Sequence, residues 1–358
     1  MSYTATTQLF RLDPVDIDVH LIALAADILR GGGLVAFPTE TVYGLGANAL
    51  DEQAVERIFS AKGRPANDPI IVHIASQLQL TDVAEAIPDK ALELAVKFWP
   101  GPLTLVLKKH RQIAPNISAQ RDTVAVRMPD HPVALALLMT AGIPIGAPSA
   151  NRFARPSPTS AQHVLDDLDG RVDVIFDGGP TDIGVESTVL DLSGAQPLVL
   201  RPGGVPLEAL RRFLPDVEFR PQYLTEAAET PAGPGMLLKH YAPSADVRLF
   251  NGDKARVMQV MLDTALHLLG EGQRIGILAP DDEALSFSER FELDPRVRIV
   301  ALGSDLPQIA AHLFAGMREL DNASVATILV HGFGLEGLGL AIWDRLVRAA
   351  SGRVIQVD

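Results

Sequence analysis

Short runs rich in valine and isoleucine punctuate the chain, each bounded by glycine, proline or aspartate, with stretches of helical periodicity between them. PIIVHIA, LTLVLKK, TVAVRMP, IPIGAPS, VDVIFDGG and STVLDLS are runs of this kind, and each has the length and composition of a strand. Residues 20–30, 53–62, 90–99 and 132–142 place apolar side chains at helical spacing. Gly31-Gly32-Gly33 stops the first of these helices and hands over to the strand LVAF. Strands and helices in this order predict an α/β fold with a substantial sheet.

The order breaks between Phe213 and Ser244, a proline-punctuated stretch with no convincing period. Beyond it the alternation resumes: VRLF, a helix over 254–269, RIGILAP, VRIVALG, a helix over 306–320, TILVHGFG and a last helix over 339–350. Strand and helix in turn predict a small, parallel, Rossmann-like sheet. A length of 358 residues also favours two domains over one. The expected division is therefore a first domain over 1–212, a linker over 213–245 long enough to act as a lid, and a smaller second domain over 246–358, roles that the resemblance given below makes catalytic and accessory. Inside the linker, His240 and Tyr241 form an aromatic cluster that no local element requires; it could cover a nucleotide or clamp the two domains.

Charge and composition remove several function classes. The 31 basic residues face 44 acidic ones, a net charge of −13, which argues against a broad nucleic-acid or anionic-membrane face. The imbalance is shared: residues 213–358 hold 13 basic and 20 acidic residues, leaving 18 and 24 for the rest. There are no cysteines, so thiolate zinc sites, iron–sulfur clusters and cysteine nucleophiles are excluded. No apolar run approaches the roughly 18 residues of a membrane span, and MSYTATTQLFRLDP is no signal sequence, so a cytoplasmic protein is expected.

Familiar signatures are weak or absent. Gly332, Gly334 and Gly337 satisfy G-x-G-x-x-G, but only about 20 residues follow, which reads as too few for the second strand and ribose-binding acid of a dinucleotide site. A tight strand-to-helix turn is the plainer reading. Gly44, Gly46 and Ala49 imitate the fingerprint with PTETVY intruding. No Gly-Lys dipeptide occurs, so there is no P-loop, and H-E-x-x-H and G-x-S-x-G are both missing.

What stands out is polar density on loops that follow or interrupt strands: PTETVYGLG, KGRPANDP, APSANRFARPSPTS, GVESTV and LRPGG. They offer cations at Lys62, Arg64 and Arg201, joined by Arg127 from a strand, and hydroxyls or amides at Thr39, Thr41, Ser149, Asn151, Ser157 and Ser187. Together such groups can cradle phosphates without a P-loop. Each cation taken singly could also be a solvated surface charge. Arg127 sits within the apolar run VAVRMP, where a buried guanidinium needs a carboxylate partner, from the protein or from a ligand. His73 is a satisfied core histidine or a ligand contact, and Ser149 and Asn151 are turn residues or ligand contacts.

FPTETVYGLGANA, AKGRP, PIIVHIA, WPGPLTLVLKK, VAVRMPDHP, APSANRFARPSPT, DGG, GVESTV and LRPGG, in this order, resemble the YrdC-like family. With PGMLLKHYAP and the Rossmann-like tail, the chain is similar to the family's long, two-domain threonylcarbamoyladenylate-forming members. The resemblance implies a YrdC-like twisted α/β domain and a nucleotidyltransferase reaction. Threonine and bicarbonate would give N-carboxythreonine, whose carboxylate attacks the α-phosphorus of ATP and expels pyrophosphate. A separate tRNA threonylcarbamoyltransferase would take the product, with no strong nucleic-acid binding by this chain.

By the same resemblance Lys62 and Arg64 would be catalytic. ATP would be held by Lys62, Arg64, Asn67, Ser149, Asn151, Ser157, Arg201 and Tyr241, and threonine by Thr39, His73, Arg127 and Ser187. Mg2+ would ride on the ATP phosphates without protein ligands. One departure concerns the order Asn67-Asp68-Pro69, where the family tends to have Asn directly before Pro: either Asn67 reaches the nucleotide from one position earlier, or Asp68 faces it. Two other readings remain: a carbamoyl-adenylate former of the hydrogenase-maturation kind, which would carry acylphosphatase and cysteine-rich segments absent here, and an RNA-binding regulator, whose affinity would fall steeply with salt.

Overall fold

The computed structural model describes residues 6–221, 232–235, 241–291 and 294–357. By its contacts the chain forms a first unit of residues 1–153, 157–182 and 186–237 and a second of residues 154–156, 183–185 and 238–358.

The strands of the first unit are β1 (Gln8–Arg11), β2 (Val35–Phe37), β3 (Gly44–Asn48), β4 (Ile71–His73), β5 (Ala84–Glu85), β6 (Leu103–Lys109), β7 (Thr123–Arg127), β8 (Ile145–Gly146), β9 (Val174–Asp177), β10 (Thr188–Asp191), β11 (Leu198–Arg201) and β12 (Glu218–Phe219). They lie in the order β1-β9-β2-β3-β8-β4-β7-β6-β10-β11-β12, with β5 beside β6, in one sheet of mixed parallel and antiparallel pairs. Strand runs without polar alternation follow from cover on both faces. On β2, Val35 and Phe37 join one apolar cluster with Ile22, Leu29 and Leu137, while Leu34 and Ala36 face the other with Ile58 and Leu94.

Helices appear where the periodicity put them: Val19–Arg30, Glu52–Lys62, Asp89–Phe98 and Pro132–Ala141. Each has a local reason to start or stop. The Asp18 carboxylate accepts from His20 N and Leu21 N, Asp51 does the same for Gln53 N and Ala54 N, and Gly63 ends its helix at φ +64°.

The second unit carries five parallel strands, β13 (Asp246–Gly252), β14 (Ile275–Ala279), β15 (Val297–Ala301), β16 (Thr327–His331) and β17 (Val354–Val357), in the order β15-β14-β16-β13-β17. The Rossmann-like parallel sheet is present, with helices Lys254–Gly270, Leu306–Asn322 and Gly339–Ala349. Two elements escaped the sequence reading. Helix Asp281–Phe291 opens on Asp281, Asp282 and Glu283, and its polar composition hides a buried face of Ala284, Phe287 and Phe291. Strand β17 corrects the view that too few residues follow the last glycines: after helix Gly339–Ala349, Val354–Val357 still pairs with β13. Among the described residues no helix is long and apolar enough to cross a membrane.

Candidate active site

Register brings the polar residues of the first unit together. His73 and Arg127 are the last residues of β4 and β7, and the parallel pairing sets them directly side by side. On the other side of β7, Leu105 lies opposite Val126, so the next residues outward, Thr104 and Arg127, are neighbours across the antiparallel pair. Thr104 in turn meets Ser187, with the two hydroxyls 2.7 Å apart. A row of His73, Arg127, Thr104 and Ser187 thus crosses four strands at the carboxyl ends of β4 and β7, the end where α/β sheets place ligands.

Arg127 is the hub of that row. Its Nε donates to Gly101 O at 3.2 Å, its Nη1 donates to Thr41 Oγ1 at 2.9 Å, and its Nη2 lies 2.6 Å from Glu40 Oε1. Thr41 Oγ1 is 2.9 Å from Thr39 Oγ1, which also donates to Val42 O. The carboxylate that the apolar setting of Arg127 required is therefore Glu40, from the PTET loop between β2 and β3. The Nη2–Glu40 contact is an ion pair without hydrogen-bond geometry: neither Glu40 oxygen accepts a hydrogen bond, and Arg127 Nη2 donates none.

His73 is buried, its Nδ1 has no hydrogen-bond partner, and its ring meets Phe37 edge-on at 6.3 Å. At least at Nδ1 the protein leaves its hydrogen-bonding capacity unmet. Burial, and then the charge of Arg127, lower its pKa from 6.5 to about 3, so it stands neutral beside the guanidinium. Burial also lowers the pKa of His131, against the pull of Glu40, Asp182 and Asp130, and Asp130 is raised by burial and by Glu40.

The remaining cations are equally buried: Lys62, Arg64, Arg127 and Arg201 expose 3, 8, 3 and 4% of their surface, which decides against solvated surface charges. Lys62, the last residue of its helix, donates from Nζ to Ser149 O and, at 2.6 Å, to Asn151 O. Arg201, at the end of β11, donates to Ser187 O at 2.9 Å from Nη2. Ser157 donates to Glu186 Oε1, the residue before Ser187. Gly203 lies against this backbone: a Cβ there would stand 2.2 Å from Glu186 O and 2.4 Å from Ser187 C.

Arg64 gives Asp68 a partner within the protein. Asp68 is fully buried and pairs with Arg64 Nη2 at 2.9 Å, while Arg64 also donates to Pro69 O. Asn67 is exposed on the same loop. Asp68 therefore holds Arg64 and does not face outward.

Tyr241, expected to contact the nucleotide, has packing partners of its own within the protein. Its ring, 1% exposed, packs in the second unit against Phe314, centroids 5.5 Å apart, and under the Arg345 guanidinium at 5.1 Å. An aromatic ring surrounded in this way is a packing anchor. His240 and the rest of residues 222–231 and 236–240, on which the lid expectation chiefly rests, lie outside the described residues.

Glu40, Thr104 and Glu186 were not singled out by the sequence reading. Glu40 and Glu186 each carry the one carboxylate in a short loop of hydroxyls and apolar residues, PTETV and GVESTV, and that was the available signal.

A family model described as "Telomere recombination" matches residues 27–203, and one described as "Threonylcarbamoyl-AMP synthase, C-terminal domain" matches residues 205–351. The threonylcarbamoyl-AMP synthase of Pyrococcus abyssi is 46% identical over 341 residues, 95% of this chain and 97% of that protein. This chain belongs to the threonylcarbamoyl-AMP synthase family. The family member of Bacillus subtilis is 45% identical over 340 residues, 94% of either chain. The crystal structure of P. abyssi Sua5 complexed with L-threonine has a TM-score of 0.92 and 44% identity, covering 98% of this threonylcarbamoyl-AMP synthase family chain and all of that one.

Proposed function

We infer that this chain condenses L-threonine, bicarbonate and ATP to L-threonylcarbamoyl-AMP, pyrophosphate and water. The reading is carried by end-to-end likeness to threonylcarbamoyl-AMP synthases, and the buried His73–Arg127–Thr104–Ser187 row gives it a chemical place.

The threonine carboxylate binds the Arg127 fork, in a planar geometry that lysine could not copy. Thr39, neutral His73 and Ser187 surround the rest of the amino acid. His73 supports this role because its neutral ring adds no positive charge beside the amine that must attack bicarbonate. That attack gives N-carboxythreonine and water. The new carboxylate oxygen then bonds to the α-phosphorus while the bond to the bridging oxygen breaks, and pyrophosphate leaves.

Negative charge spreads over the α-phosphoryl and the leaving group, so catalysis rests on position and fixed positive charge. Lys62 and Arg64 supply that charge, and Ser149, Asn151, Ser157 and Arg201 hold the nucleotide around them. Asn67 could contribute only from the exposed loop. ATP enters as its magnesium complex. In this reading the ion is carried by the phosphates, and no residue of the chain is assigned to it. The product passes to a separate tRNA threonylcarbamoyltransferase in the cytoplasm, and a net charge of −13 suits an enzyme that need not grip the tRNA itself.

Pyrophosphate release, measured with threonine and bicarbonate omitted in turn, tests the assignment. Release should require both; release that persists without threonine overturns it. A carbamoyl-adenylate former or an RNA-binding regulator is not favoured by relatives that match 94–95% of the chain.

A further inference from the structure

The second unit contains a cavity of about 500 Å³, within the range of small-molecule sites. It lies outside the carboxyl ends of β13, β14 and β16. From β14 the chain proceeds to β15 on one side of the sheet, and from β16 it proceeds to β17 on the other, so the cavity sits at a topological switch point.

Its walls argue against a phosphate. Asp253 and Asp305 already cap the helices that begin there, accepting from Arg256 N and Gln308 N. The third helix opens on Asp281, Asp282 and Glu283, and the Asp281 carboxylate is taken up by Gly303 N and Ser304 Oγ. Helix ends neutralised by carboxylates do not attract an anion. The glycine motif beside the cavity has backbone explanations: a Cβ on Gly332 would stand 2.9 Å from the Trp343 ring, and Gly334 turns at φ +88°.

The polar centre of the cavity is Glu283, 4% exposed. Its Oε2 is bonded to His331 Nε2 at 2.6 Å, and His331 Nδ1 donates to Gly332 O. Its Oε1 is buried and accepts no hydrogen bond. The ammonium of Lys254 forms an ion pair with Oε1 at 2.9 Å, from a side chain that is 66% exposed. Around this carboxylate lie the apolar side chains of Phe250, Val257, Ile309 and Phe333.

We propose that the cavity of the second unit binds a small organic amine, its ammonium donating to Glu283 Oε1 and its apolar body resting on Phe250, Val257, Ile309 and Phe333. The Lys254 ammonium is then a tethered competitor that the ligand displaces. Burial would raise the pKa of Glu283, yet the His331 and Lys254 contacts hold it below the ordinary carboxylate value, so it meets the ligand ionised.

The test is calorimetric titration of the full-length protein with 3-phenylpropylamine, with 3-phenylpropanol as the uncharged control and inorganic phosphate as the anion. The amine should bind and the other two should not. Glu283→Gln should weaken the amine by about tenfold or more, the worth of a charged hydrogen bond. Lys254→Met, at an exposed residue, should tighten it by roughly threefold, because the competing charge of a partly exposed pair is gone. A purely structural role for this ion pair predicts no such gain. The proposal is overturned if the amine fails to bind both the wild type and Lys254→Met, if the alcohol binds as well as the amine, or if phosphate binds and Lys254→Met abolishes it.

Discussion

Truncating Arg127 separates what the residue does for the fold from what it does for the substrate. Glu40 is 5% exposed, and Arg127 Nη2 at 2.6 Å is its counter-charge. Arg127→Ala strands that carboxylate, which typically costs about 3–5 kcal/mol, and at a urea m-value of roughly 2.5 kcal/mol/M it lowers the midpoint by about 1–2 M. In Arg127→Met/Glu40→Gln neither charge remains, and buried pairs replaced by neutral groups of similar volume are often close to neutral in stability. The double variant should recover at least half of the loss; the rest, about 1–2 kcal/mol, reflects the acceptors left at Gly101 O and Thr41 Oγ1. Threonine use should not recover: its KM should rise by about tenfold or more in both variants, the worth of charge-assisted bonds to a carboxylate. Trp99 is buried in the first unit beside this site, its indole donating to Leu103 O, so fluorescence in a Trp343→Phe background reports that unit's unfolding. Nucleotide affinity, read separately, should change little. If the double variant is no more stable than Arg127→Ala, the ion-pair argument fails; if it regains the wild-type threonine KM, Arg127 does not bind threonine.

Two further perturbations test neighbouring parts of the site. Below pH 6.5 the unfolded chain protonates His73 while the native chain keeps it neutral down to about pH 3, so stability falls as pH drops through that window. His73→Gln should lose about 2 kcal/mol less than the wild type between pH 7 and pH 5; equal losses in urea titrations would contradict a neutral, buried His73. Gly203→Ala would drive a Cβ to within 2.2 Å of Glu186 O and 2.5 Å of Thr188 N, contacts with backbone that no rotamer relieves. It should cost about 3 kcal/mol, and an unchanged melting temperature would refute the close packing of the LRPGG loop on GVESTV.

The strands, most helices and the chemical character of the site were legible because they are local. A Val/Ile run bounded by Gly or Pro becomes a strand whatever its neighbours, and Asp18 or Asp51 caps its helix within four residues. What local pattern could not supply was adjacency. Nothing in PIIVHIA or VAVRMP says that β4 and β7 pair in the register that sets His73 beside Arg127, or that β6 follows with Thr104. The apolar setting of Arg127 demanded a carboxylate, yet Glu40 lies 87 positions away on a loop. The role of Asp68 stayed open between two alternatives because the sequence shows its charge and not its pairing with Arg64, four residues earlier. Tyr241 shows the same limit: its packing partners, Phe314 and Arg345, come from far along the chain and leave no local signal.

The pairing of Arg127 with Glu40 is compatible with the substrate role proposed for the guanidinium. A guanidinium offers five N–H donors, two of them on Nη2. Nε and one Nη1 hydrogen go to Gly101 and Thr41, which fixes the plane of the fork, while the Nη2 hydrogens form no hydrogen bond with Glu40 despite the 2.6 Å approach. Glu40 thus lowers the cost of burying the charge while the Nη2 hydrogens remain without a hydrogen-bond acceptor. Arg127→Lys makes the distinction measurable. Its ammonium can still neutralise Glu40, so most of the stability survives, but a single nitrogen cannot hold Thr41, Gly101 and a carboxylate in one plane. The lysine variant should therefore unfold near the wild-type urea midpoint and still show the raised threonine KM of Arg127→Ala; a wild-type KM would mean that charge alone, not the planar fork, recognises threonine.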